Sequence, residues 1–180
     1  MATGDYDDAT VAAVFRAALS LGIATPADLV PWADEQVMKR ERPAEWILEL
    51  SLSAGREASR VEADLTDASF RADREAVFSL LVGLADVAAP PSFEQGRLAA
   101  AWLYDVALGY TSGYPQYQAA WIDERFDRAA GTIIPSDGLA AELTEYVRKN
   151  ADPAARAWLP GVRVTFGGEP APPSAGMMDP

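Results

Sequence analysis

The stretch Val11-Ala12-Ala13-Val14-Phe15-Arg16-Ala17-Ala18-Leu19-Ser20-Leu21-Gly22 decides the class of fold. Val11, Val14, Phe15, Ala18 and Leu19 fall at i, i+3, i+4, i+7 and i+8, which gathers apolar side chains along one face of a helix. Asp7 or Asp8 supplies a cap and an acidic start, and Gly22 supplies a stop. The same punctuation recurs downstream. Thr25-Pro26-Ala27-Asp28 combines an N-cap, a first-turn proline and an acidic residue placed to bond back, so a second helix runs from about Pro26 to Arg40. Pro31 leaves two alternatives: a kinked helix, or a single turn at 25–30 followed by a helix that begins at Pro31. Pro43 opens a third helix, whose buried face is Trp46, Ile47, Leu50 and Ala54 before Gly55 ends it.

Between Arg56 and Ser69 only Val61 and Leu65 interrupt a polar run, which reads as a loop with room for one short helical turn. An apolar stripe of Val77, Leu80, Leu81, Leu84 and Ala88, stopped by Pro90-Pro91, marks the next helix. Ser92-Phe93-Glu94-Gln95 is a capping box, opening a helix that turns Ala99, Trp102, Leu103 and Val106 inward and stops at Gly109. The tract from Tyr110 to Pro115 reads as a turn-forming loop. Beyond it, residues 116–130 put Tyr117, Trp121, Ile122, Phe126 and Ala129 on one broad face. A helix capped by Ser136 carries Leu139, Ala140, Leu143, Tyr146 and Val147, and Asp152-Pro153 starts a last short one bearing Trp158 and Leu159. Val162 to Phe166 alternates like a strand, and 167–180 is rich in Gly and Pro. The expected architecture is therefore all-α: one irregular bundle of about seven or eight helices in antiparallel hairpins over residues 1–160. Residues 161–180 are expected to be an irregular Gly/Pro-rich tail with room for a short strand. A solenoid would need a repeated signature, and none is visible.

Composition limits the chemistry. The 180 residues contain no histidine and no cysteine, with 27 acidic against 15 basic side chains and a net charge of −12. Catalysis of the Ser-His-Asp or Cys-His kind is excluded, together with disulfides and His or Cys metal sites. The lysines Lys39 and Lys149 stand among charged or polar neighbours that do not favour a depressed pKa, and Gly167-Gly168 is followed by Glu169 and Pro170, not by a phosphate-binding lysine. The charge repels phosphate backbones and anionic lipids, so neither nucleic acid nor membrane is expected as a partner. It suits a basic protein partner, although acidic solubility explains it as simply. The polar, acidic Met1 to Asp8 is not a signal peptide, no apolar run is long enough to cross a bilayer, and a cytoplasmic location is expected.

Three acidic clusters remain: Asp34 with Glu35, Glu45 with Glu49, and Asp123 with Asp127. Carboxylates one helical turn apart can hold Mg²⁺ or share acid and base work when their face lines a cleft. Solvated helix faces balanced by Lys39, Arg42, Arg125 and Arg128 account for the same pattern. Trp32, Trp46, Trp102 and Trp121 sit on apolar stripes and are expected to pack in the core. Tyr110 and Tyr114, assigned to a loop, are candidates for contact residues, with covering the end of the bundle as the competing role. No cofactor is expected.

One order of segments carries a resemblance. Ala17-Ala18-Leu19-Ser20-Leu21-Gly22, then Trp32-Ala33-Asp34, then Pro43 to Trp46 and Leu50-Ser51-Leu52, resembles small all-helical bacterial immunity proteins of contact-dependent and polymorphic toxin systems, with a fainter echo at Asp123 to Phe126. The match covers the first third of the chain; Pro31 and the Pro-rich tail lie outside the pattern. It implies a cytoplasmic protein that covers the active surface of a basic toxin. The expected function is a non-catalytic protein-binding module of this immunity-like kind, meeting its partner through Asp34, Glu35, Glu45, Glu49, Tyr110 and Tyr114. The alternatives are a carboxylate-dependent metal-binding protein or enzyme using Asp123 and Asp127, and a self-associating helical scaffold.

Overall fold

The computed structural model describes residues 6–86, 92–131 and 138–166. The expected roles of Ala88, Pro90, Pro91 and Ser136 and of the tail from Gly167 onward lie outside the described residues. The fold is all-α. In chain order the helices are α1 (Asp8–Ser20), α2 (Pro26–Lys39), α3 (Glu45–Ser51), α4 (Ala58–Ala68), α5 (Arg74–Leu84), α6 (Phe93–Tyr110), α7 (Tyr114–Gly131), α8 (Leu139–Asn150) and α9 (Ala155–Trp158). Two-residue strands β1 (Ala85–Asp86) and β2 (Val164–Thr165) pair in parallel, Ala85 opposite Val164 and Asp86 opposite Thr165. The alternation expected at 162–166 is thus used as one short pairing.

α1 is the centre of the N-terminal half. Asp7 caps it by accepting from the Thr10 amide at 2.7 Å. At the other end Gly22, at φ +67°, donates to the Leu19 carbonyl while Ile23 donates to Ala18, the two bonds of a Schellman stop. Nine of its thirteen residues are buried, because alanines fill the side that the larger apolar residues leave. Its main helical partner is α4, the segment expected to be a loop. Val61 and Leu65, one turn apart, are the buried residues of α4 and pack into the common core with α1. Eleven residues with two apolar anchors and no side-chain cap are too weak to form a helix in isolation, so it is packing on α1 that stabilises α4.

α2 runs as one helix through Pro31, which excludes the alternative of a single turn at 25–30 followed by a helix that begins at Pro31. Its start is held by Thr25, whose amide donates to Asp28 at 2.7 Å. At its end Arg40 forks onto both carboxylate oxygens of Asp8 at 2.6 and 2.8 Å, tying α2 to the start of α1. α3 is shorter than expected: it begins after Pro43, ends at Ser51, and leaves Ala54 exposed. Sequential helices pack at α2–α3, α5–α6, α6–α7 and α7–α8. α6 opens with the Ser92–Gln95 capping box. It then crosses α7 where Gly96 leaves room for the Phe126 ring.

The last described segment closes the bundle against α5. The Asp152 amide donates to the Ser79 carbonyl at 2.8 Å, and Arg156 donates to the carbonyls of Gly83 at 2.6 Å and Ala85 at 3.1 Å. A Cβ at Gly83 would lie 1.8 Å from the Asp152 carbonyl oxygen, so only glycine permits this approach. Tyr6 bonds the Asp152 carboxylate from the other side, and that bond, with burial, pushes the phenol up to about 12.

Candidate functional site

The six expected contact residues are distributed over three surfaces. The first is the α2–α3 pair, built on aromatic packing: Trp32 meets Phe15 edge-on at 5.0 Å and stacks on Trp46 at 5.7 Å with 17° between planes. With the rings turned to the core, Asp34, Glu35, Glu45 and Glu49 are all exposed. Lys39 engages Glu35 at 2.6 Å, while Asp34, Glu45 and Glu49 have no ion pair among the described residues. Met38 and Leu52 are almost fully exposed on the same pair, 88% and 81%, so the acidic surface is also apolar.

The second surface holds Tyr114. Tyr114 and Pro115 belong to the first turn of α7 and Tyr110 to the last turn of α6, so the connecting loop shrinks to Thr111-Ser112-Gly113, with Gly113 at φ +68°. The buried side of α7 is Ala119, Ile122 and Phe126. Tyr114, Tyr117 and Trp121 repeat the same i, i+3, i+7 spacing five residues earlier, which turns them about 140° around the helix. They are accordingly exposed by 66%, 74% and 56%. The expected core role of Trp121, and the inward placement of Tyr117, are therefore corrected: one helix cannot bury both sets against a single pair of neighbours. Among the other tryptophans, Trp32 is buried and Trp46 and Trp102 are partly buried against the core.

Beside this aromatic row lies an open groove of about 480 Å³ between α7 and α8, lined by Tyr114, Gln118, Trp121, Arg125, Glu142 and Glu145. Its walls are fixed. Arg125 bridges to Glu142, Arg148 holds Glu145 at 2.6 Å, and the buried Tyr146 donates to the Pro115 carbonyl at 3.0 Å. Burial drives the Tyr146 phenol far above its ordinary value, keeping it a neutral donor. Lys149 stands 5.2 Å from the centre of the Tyr114 ring, so a cation already occupies one aromatic face.

The third surface holds Tyr110, partly buried beside a groove of about 310 Å³ that also receives Arg16 and Arg74. Tyr110 and Tyr114, close in sequence, thus face different grooves.

The Asp123–Asp127 pair lies on the flank of α7. Burial holds the Asp123 carboxyl above its ordinary range, Asp127 and Asp105 add to this, and Arg97 opposes it. Among the described residues no three carboxylates gather in a group able to hold a metal ion, and no helix is long and apolar enough to cross a membrane.

Set beside known protein families, curated proteins and solved structures, the chain matches none of them.

Proposed function

We propose that this chain is a protein-recognition module whose contact surface is the exposed face of α7. The observation that carries the reading is the row Tyr114, Tyr117 and Trp121, three large aromatic side chains over two turns, each more than half exposed. Tyrosine and tryptophan are the residues that anchor interfaces, since each buries a large rigid surface and keeps a polar tip for a hydrogen bond. Leaving three of them in water on a helix whose other side is well packed has no benefit for folding alone.

The partner is a basic protein. The net charge of −12 attracts cations over long range, and the uncovered aromatic faces take Arg or Lys side chains once contact is made. Glu45 and Glu49, exposed on α3 and without an ion pair among the described residues, add to this field, and the apolar Leu52 at the end of that helix gives a second place of contact. An immunity-like role, in which the basic partner is a toxin to be covered and silenced, rests on the resemblance of the segments from Ala17 to Leu52.

The test uses the purified protein as bait, followed by association kinetics at two ionic strengths with the recovered partner. The expected result is a basic protein that binds wild type, is lost by the double variant Tyr117→Ala/Trp121→Ala at unchanged melting temperature, and associates more slowly with Glu45→Gln/Glu49→Gln. Equal binding by the aromatic variant would remove α7 from the interface, and an acidic partner would end the electrostatic argument. A concentration-dependent dimer that the aromatic variant dissolves would assign the same face to self-association.

A further inference from the structure

The groove at Tyr110 has a different chemistry from the α7 face and is independent of it. It is bounded by α1, the end of α4, the start of α5 and the last turn of α6, and its volume of about 310 Å³ falls in the range of small-molecule sites, roughly 300–1,000 Å³. Ala13, Ala72 and Val77 make its apolar lining, Tyr110 one wall, and Phe70, 87% exposed, part of the rim.

Most cations among the described residues are engaged, and Arg42 and Arg71, which like Arg16 have no ion pair or hydrogen bond there, are exposed where Arg16 is partly buried. Lys39, Arg40, Arg56, Arg60, Arg97, Arg125, Arg128 and Arg148 each hold a carboxylate. Arg74 donates to the Gly109 carbonyl at 2.6 Å. Arg16, half-buried on α1, has neither an ion pair nor a hydrogen bond among the described residues. A guanidinium partly withdrawn from water without an acceptor carries a desolvation cost that an incoming anion relieves. Arg16 and Arg74 both favour negative charge at Tyr110, Glu62 opposes it, and burial keeps the phenol above its ordinary value and hence a neutral donor.

We propose that this groove binds a small organic carboxylate with an apolar or aromatic body, its carboxylate forked on Arg16 and its body lying along Tyr110 and Phe70 over Ala13 and Val77. One uncommitted planar fork matches one carboxylate. A phosphate dianion or a polyphosphate would meet Glu62 and the field of a chain at −12 with only that single guanidinium free.

The probe is 3-phenylpropionate, titrated into the full chain by calorimetry and followed by amide chemical shifts. The neutral isostere 3-phenylpropanamide, inorganic phosphate, and a short peptide ending in a free phenylalanine carboxylate serve as comparisons. The acid is expected to bind with a Kd of roughly 0.1–1 mM, a magnitude usual for a ligand of its size. The amide and phosphate should bind on the order of tenfold more weakly or not at all, as should the acid to Arg16→Gln and, because the fork is lost, to Arg16→Lys. Equal affinity for acid and amide, no binding of the acid, or undiminished binding by a folded Arg16→Gln would each overturn the proposal. Tighter binding of the peptide than of the free acid would overturn the small-molecule assignment. The acid-to-amide comparison needs no variant, so the proposal stays testable if Arg16→Gln fails to fold.

Discussion

α1 and α7 are both rich in large apolar residues, yet they end in opposite situations. Nine of thirteen α1 residues are buried, whereas α7 buries Ala119, Ile122 and Phe126 and leaves Tyr114, Tyr117 and Trp121 in water. The difference is angular. In α1 small alanines occupy the sides away from Phe15 and Val14, so neighbours approach from several directions and most of the circumference becomes core, leaving the stripe of Ala9, Arg16 and Ser20 to the surface. In α7 two apolar sets point about 140° apart. α6 and α8 cover only one of them. Aromatic content is thus a guide to stability in the first helix and to recognition in the second.

The largest effect is expected at the centre of α1. Phe15→Ala should cost about 3–5 kcal/mol in urea or thermal unfolding, because the ring is fully buried and its contact with Trp32 is lost with it. A loss below about 1 kcal/mol would show that α1 is not the core of its half.

Next in size is the packed side of α7. A Cβ at Gly96 would lie 2.7 Å from the Phe126 ring, so Gly96→Ala should cost about 1–3 kcal/mol despite the better helix propensity of alanine. Pairing it with Phe126→Leu should give less than the sum of the two single losses. Additive losses would mean that the two residues do not meet.

Smaller still is the flank of α7. With its carboxyl held above the ordinary 3.8, folded Asp123 favours the neutral form, so its contribution is fully present below pH 3.8 and is lost as pH rises through the folded value. At pH 7 the ionised group is therefore a cost, led by burial and reinforced by Asp127 and Asp105. Asp123→Asn should raise stability at pH 7 only slightly, because solvent screens the partly exposed carboxyl, and the gain should vanish below pH 3.8. A variant less stable than wild type at pH 7 would reverse the sign of this argument.

The smallest effect belongs to the exposed side. Tyr117→Ala and Trp121→Ala should each change unfolding free energy by no more than about 0.5 kcal/mol, since neither side chain leaves a cavity. A loss of several kcal/mol from Trp121→Ala would return that residue to the core and remove the basis for recognition by α7.

Much of the candidate surface was legible in part. Glu45 and Glu49 are exposed, as an i, i+4 pair on the face opposite Ile47 and Leu50 should be. Tyr114 is exposed for a different reason than expected, since it opens a helix and does not sit in a loop. The signal that could have found Tyr117 and Trp121 is the second i, i+3, i+7 set on α7, but periodicity marks two candidate faces without saying which one a neighbour covers.

Local residue patterns alone place several helix ends: Asp7, Thr25 with Asp28, Ser92 with Gln95, and Gly22 act within four or five residues of their own position. The lack of histidine and cysteine likewise bounded the chemistry without reference to any fold. Long-range packing makes 58–68 a helix, selects which face of α7 is wet, and brings Arg16, Arg74 and Tyr110 to one groove. Each of these depends on contacts between segments distant in the chain, where the free energy comes from burying one surface against another. Local residue patterns record which surfaces are available for that, and the packing of the whole chain selects among them.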